Sequence, residues 1–143
     1  MPETTVAAII TATDSRGTKI LLARRGHEPF KDRWCLPGGH IDRYEPARRA
    51  IIREVKEEVG LDFGARFFGY FDEIIRQRTI HAVVMVFEGA GTGQLQAQKG
   101  EVTDIGWFSI AEACSLPLAF AHNEILEAYA ARTRIVEPIP SDK

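Results

Sequence analysis

The chain is short of the features that would mark several other kinds of protein. Only two of its 143 residues are cysteine, Cys35 and Cys114, far apart and in neither a CxxC nor a metal-like grouping. That excludes a disulfide-stapled scaffold and a structural zinc site, and points to a reduced, cytoplasmic chain. No apolar run approaches the ~20 residues needed to cross a bilayer. Met1 to Thr5 also lacks the basic residue that opens a secretory leader, so none is expected. Charge of one sign is not in excess: 18 Lys and Arg stand against 20 Asp and Glu, a formal net of -2. A general nucleic-acid binder would be strongly basic, so neither nucleic acid nor membrane is expected as a partner. Walker-type and GxGxxG phosphate loops are missing, which disfavours NTP-driven motors and dinucleotide oxidoreductases.

What is present is an ordinary globular balance, 45% hydrophobic and 27% charged, at a length that fits a single core. One domain is expected over residues 1–136, followed by a flexible proline-containing tail over 137–143. Val6–Thr13 and Lys19–Ala23 are β-branched, apolar runs joined by the turn formers Asp14-Ser15-Arg16-Gly17, and predict a hairpin. Gly26 to Tyr44 reads as irregular, with Pro29, Pro37, Gly38 and Gly39 excluding a long helix. A helix opens at Glu45-Pro46, carries Ala47, Ala50, Ile51, Val55 and Val59 at helical spacing, and stops at Gly60. Strands are predicted over Phe67–Phe71, Thr79–Phe87 and Val102–Ile110, with a loop over Gly89–Gly100. The nearly all-apolar second strand suggests a position covered on both faces. Helices over Ala111–Ser115 and Ala119–Arg132 complete a mixed sheet flanked by helices.

The informative stretch is Gly39 to Leu61. On a helix, Glu54 lies three and four residues before Glu57 and Glu58, so the three carboxylates share a face. Their repulsion costs a few tenths of a kcal/mol per pair at an exposed site, and nothing about helix stability asks for it. A divalent cation relieves it, since clustered carboxylate oxygens are what hard ions such as Mg²⁺ or Mn²⁺ select. The bland alternative is a solvated face, with Arg49, Arg53 and Lys56 in i,i+4 pairs with Glu45, Glu57 and their neighbours.

The full pattern decides between them. Gly39, five residues, Glu45, seven residues, then Arg53-Glu54-Val55-Lys56-Glu57-Glu58-Val59-Gly60-Leu61 resembles the Nudix box at all nine specified positions. A chance match in a chain this long is on the order of one in ten million. Trp34 to Gly39 resembles the segment that leads into the box, and Trp107-Phe108 with Glu101 upstream resembles the family's last core strand. The resemblance implies an α/β fold, a Nudix α/β/α sandwich with a mixed β-sheet, that hydrolyses a nucleoside diphosphate linked to another group. It implies metal ligands at Gly39, Glu54, Glu57, Glu58 and Glu101, with Mg²⁺ or Mn²⁺ as cofactor. Glu54 or Glu58 would deprotonate the attacking water, Arg53 would orient a glutamate, and Glu45 would support that arrangement. Arg25 matches a phosphate-contacting position, homodimers are frequent among relatives, and no covalent intermediate is expected.

For the substrate, Pro29-Phe30-Lys31-x-x-Trp34 and the stretch from Leu118 to Leu126 resemble short bacterial ADP-ribose pyrophosphatase-like members. Phe30, Trp34 and His122 are accordingly expected to contact substrate. ADP-ribose or a related nucleotide sugar is the first reading. Nucleoside triphosphate clean-up is the second, and a dinucleotide or capped substrate a further one. A catalytically silent nucleotide sensor would be expected to have lost its glutamates, and this chain keeps them. One departure stands out: Tyr44 occupies a position where many members have glycine, and it would be strained if the loop needs positive φ there.

Overall fold

The computed structural model describes residues 1–136; the tail expected beyond lies outside the described residues. Asp14 Oδ1 accepts the Arg16 N–H at 2.8 Å, and Gly17 takes φ +117°, so β1 (Glu3–Asp14) folds back onto β2 (Gly17–Arg25). Their pairing holds only from Asp14↔Gly17 to Thr11↔Ile20. Beyond it the strands part, and two short strands enter the wedge. Strand β3 (Trp34–Cys35) runs beside Ala23 and Arg24 of β2, and β4 (Gly38–His40) beside Thr5 to Ala7 of β1. The segment that reads as irregular therefore supplies two strands, too short to show periodicity and separated by Pro37, which has no N–H to give a ladder.

On its other side β1 pairs in parallel with β7 (Ile80–Thr92). Strand β7 in turn pairs antiparallel with β6 (Arg66–Ile75) and β5 (Asp62–Phe63). The outer side of β2 takes β8 (Val102–Ser109), completing a mixed sheet of eight strands.

Helix α1 (Ala47–Val59) starts after Pro46, with φ -65°, and ends on Gly60, whose φ of +80° lets its N–H reach the Lys56 carbonyl. Its buried residues Ala50, Ile51, Val55 and Val59 pack on Val6, Ala8 and Ile10 of β1. Ala7 and Ile9, the alternate residues of β1, pack instead under Ala113 of α2 (Ile110–Ser115) and Ile125 and Leu126 of α3 (His122–Val136). Each Val, Leu and Ile among these contributes about 1.5–3 kcal/mol through burial, and the period of two along β1 feeds both faces. The result is the expected α/β/α sandwich. No helix among the described residues is long and apolar enough to cross a membrane.

The structure departs from the sequence reading in several places. Strand β6 continues to Ile75 rather than ending at Phe71. Strand β7 continues to Thr92, because Gly89 and Gly91 are not turn formers. A Cβ on the first would collide with the Gly64 carbonyl, and one on the second would come 2.6 Å from Ile10 and 2.9 Å from Leu61. Helix α3 begins at His122 rather than Ala119, since Phe120 has φ +55° and cannot be helical. Finally, β7 is buried on both faces only near Val86 to Glu88. Before that Ala82 and Val84 are buried, while His81 is exposed and Val83 and Met85 are half-buried.

Candidate active site

Arg53 organises the acidic end of the site. Its Nε and Nη2 donate to the two carboxylate oxygens of Glu45 at 2.8 and 2.9 Å, and Nη2 also donates to the His40 carbonyl at 3.1 Å. Nη1 donates to Glu54 Oε1 at 2.9 Å and to Glu57 at 3.3 Å. One guanidinium thus ties the loop after β4 to the exposed face of α1, the fork-to-fork geometry at which arginine is strong. The Arg53 hydrogen bonds, with the Asp42 N–H second, hold the Glu45 carboxyl down to about 2. Arg53 itself is pushed further above its already high value, chiefly by Glu45. Tyr44, next to this clamp, takes φ +64° with its side chain exposed, the left-handed conformation that strains a residue with a Cβ.

Glu54, Glu57 and Glu58 project from α1 into one cavity of about 610 Å³ that Gly38 and Gly39 also line. Burial raises the Glu58 carboxyl well above the usual range. Its hydrogen bond to Glu54 and that residue's charge add to the effect, while the Gly38 N–H and the charge of Arg25 oppose it. Two carboxyls this close stay together only if a proton or another cation lies between them. Gly39 fits the same purpose. A Cβ there would lie 2.7 Å from the Glu54 carboxyl, so only glycine lets that group sit against the backbone. Among the described residues no three His, Cys, Asp or Glu side chains are already gathered as ligands; Arg53 and Glu58 hold Glu54 instead. The donor set is all oxygen and anionic, and fits a hard divalent ion.

Arg25 is in the cavity wall, near enough for its charge to act both on Glu58 and on His122. Its Nε donates to the Pro29 carbonyl at 2.7 Å, and its guanidinium lies 4.8 Å from the Phe120 ring centre. Cys35 lines the same wall, but burial pushes its thiol up to about 12, so it is no nucleophile at neutral pH. Glu101 is at the rim, more than half exposed and 3.4 Å from His27 Nδ1.

The deeper recess has Ile80, Ala82 and Val84 of β7, Phe120 and His122 in its wall. His122 is buried, and its Nδ1 accepts the Leu36 N–H at 3.0 Å. Burial, with help from Arg25, lowers this imidazole to about 3, so it is neutral at physiological pH. The other two residues expected to touch substrate lie elsewhere. Phe30 is buried behind Phe120, with ring centres 5.0 Å apart and Arg78 4.0 Å from its own ring centre. Trp34 packs edge-on to Phe108 at 5.0 Å, over the core beneath α2 and α3. Neither is in the cavity wall, because β3 turns its side chains to the two sides of the wedge and the fold at Pro29 tucks Phe30 inward. One wall residue escaped the sequence reading altogether. Glu73 is buried, in the extension of β6 past Phe71. The signal was there in the parity with Phe71, two residues earlier on the same face.

This arrangement has close counterparts. The NUDIX domain family model matches residues 1–129. The chain is 33% identical over 127 residues to the ADP-ribose pyrophosphatase of Methanocaldococcus jannaschii, covering 86% of this chain and 72% of that one. It is 32% identical over 126 residues to the CTP pyrophosphohydrolase of Escherichia coli, covering 86% and 90%. Among solved structures, the NUDIX domain of Shewanella oneidensis NrtR complexed with ADP ribose superposes with a TM-score of 0.81 at 26% identity, over 95% of this chain and 90% of that one. The chain belongs to the Nudix family, as a hydrolase of nucleoside diphosphate derivatives.

Proposed function

We propose that this Nudix hydrolase uses Mg²⁺ or Mn²⁺ to cleave the diphosphate of a nucleoside diphosphate sugar of the ADP-ribose kind. The observation that carries the reading is the two-part cavity: an anionic end built by Glu54, Glu57 and Glu58, joined past Arg25 to an apolar recess under Phe120. A nucleotide has the same two parts. The names of the Methanocaldococcus jannaschii relative and of the Shewanella oneidensis complex support the choice of sugar.

Glu54, Glu57 and Glu58, with the backbone at Gly39, would hold the metal, and Glu101 would join from the rim. The ion, when bound, neutralises diphosphate charge and acidifies water. Arg25 offsets phosphate charge on the recess side. Arg53, fixed by Glu45, keeps Glu54 and Glu57 aimed into the cavity and touches no substrate. Glu54 or Glu58 takes the proton of the attacking water; its oxygen bonds to one phosphorus as the bridging P–O bond breaks and the second phosphate leaves. Nothing in the wall supplies an activated side-chain nucleophile, consistent with direct attack by water.

The test is a panel of nucleoside diphosphate sugars, dinucleoside polyphosphates and nucleoside triphosphates in ¹⁸O-water, with products identified by mass. ADP-ribose yielding AMP and ribose 5-phosphate, one of them carrying a single ¹⁸O, is expected, with loss of turnover in EDTA. Faster turnover of triphosphates with release of pyrophosphate would favour the second reading, which the Escherichia coli relative supports. Full turnover in excess EDTA would remove the metal mechanism.

A further inference from the structure

Three polar or charged residues are buried among the described residues, and two are accounted for. Glu88 is ion-paired with Arg132 and Arg66, and His122 holds the Leu36 N–H. Glu73 has no such counterpart. It is 5% exposed, forms no ion pair with any described cation, and its one hydrogen bond is from the Ala121 N–H to Oε2 at 3.1 Å. No buried side-chain oxygen is sealed without a partner, so Oε1 faces accessible space, and the space Glu73 lines is the cavity. A carboxylate held there with a free acceptor is costly unless something donates to it.

The register says where along a ligand this happens. Glu73 pairs with Ala82, Ala82 with Glu3, and the same stretch of β1 pairs with β4, where Gly39 stands opposite Val6. Three strand spacings of about 4.8 Å, combined with the three-residue step along β1 from Glu3 to Val6 at about 3.3 Å per residue, put Glu73 roughly 17 Å from Gly39. Glu73 therefore lies toward the end of the cavity remote from Gly39. Ala82, Val84 and Phe120 line the same cavity and offer apolar surface on which a planar ring can stack.

The chemistry of the edge follows from its two polar groups. His122 is neutral and its Nδ1 accepts from Leu36, so its proton is on Nε2. Ala121, which Glu73 holds, is the preceding residue. The recess therefore presents an acceptor, Glu73, and a donor, His122. We propose that this pair reads a nucleobase edge in which an exocyclic amine sits beside a ring nitrogen acceptor, the edge of adenine and of cytosine. Hypoxanthine and uracil present the reverse order, oxo beside N–H. The inference rests on the nucleotide reading above and narrows it to amino-bearing bases.

Titration calorimetry of AMP against IMP, and of CMP against UMP, with Mg²⁺ present, tests it on the unaltered protein and separates the purine from the pyrimidine source. Amino forms binding about tenfold more tightly or better is the expected result in at least one pair. Glu73→Gln keeps an oxygen for the Ala121 N–H and adds an amide donor, so the preference should fall below about twofold or reverse. Equal binding within both pairs, no binding of any of the four, or an unchanged preference in Glu73→Gln would overturn the proposal, leaving Glu73 as a tether for the start of α3. Amino-selective binding without hydrolysis of any diphosphate would sink the catalytic reading and leave this one standing.

Discussion

The two ends of the cavity are built on opposite plans. The acidic end is local: everything from Gly38 to Glu58 lies within one strand, one loop and one helix, and Arg53 closes it with six hydrogen bonds to residues between His40 and Glu57. The recess is assembled from afar. Glu73 reaches Ala121 across 48 residues, and His122 reaches Leu36 across 86. A local plan keeps catalytic groups at fixed spacing whatever surrounds them. A dispersed plan leaves specificity free to change by substitution on β6 or before α3 without disturbing the metal-binding helix. Charge follows the same division, with carboxylates crowded at one end and a neutral imidazole with a single carboxylate at the other.

The sharpest way to break this contrast is within the acidic end. Glu58→Gln should lower kcat by roughly a hundredfold or more while the melting temperature holds, because the buried carboxyl, already favoured in its neutral form, is replaced by a neutral isostere that can keep a hydrogen bond to Glu54. A lost melting transition with activity kept would make the cluster structural. Next in size is the pair of neighbouring glycines. A Cβ at Gly38 meets the backbone of Val6 and Ala7, whereas at Gly39 it meets only the movable end of Glu54. Gly38→Ala should therefore cost about 3 kcal/mol of stability, measured by urea unfolding. Gly39→Ala should leave stability nearly intact and cut turnover by displacing Glu54.

The recess answers to pH. Unfolded His122 takes a proton as pH falls through about 6.5, but the folded imidazole resists it down to about 3. The unfolded state then binds more protons, so this residue removes stability as pH falls, by about 1.4 kcal/mol per unit inside that window. Glu58, raised in the folded state, works in the opposite sense, so the comparison is of slopes. His122→Asn, which can still accept the Leu36 N–H, should flatten the loss between the two limits, read by unfolding at a series of pH values. An unchanged slope would mean the imidazole is not held neutral. Smallest is Tyr44→Gly, which relieves a left-handed residue and offsets the gain with a more flexible unfolded chain. A net stabilisation of about 0.5 kcal/mol is expected, visible as a small rise in melting temperature.

Legibility followed the same division. The acidic helix could be read because its period, its caps and its three carboxylates are all written within one stretch, and Gly60 ends it where the sequence says. Trp34 and Phe30 misled because an aromatic near a glycine-rich loop looks the same whether it faces a ligand or the core; only the wedge between β1 and β2 decides. Gly89 and Gly91 misled for the converse reason, since glycine signals close packing as readily as a turn.

By itself, the sequence determined the mixed sheet flanked by helices, the hairpin and the helix with its acids, because each depends on periodicity or spacing within a short span; the sandwich and the reaction family came through the box that resembles the Nudix motif. The tertiary structure alone decided that Glu73 shares a cavity with His122, that Phe120 rather than Phe30 lines it, and that Gly39 lies against Glu54. Those relations depend on strand register and on how far β1 and β2 diverge. Both are set by packing between residues distant in the chain, and no local pattern encodes them.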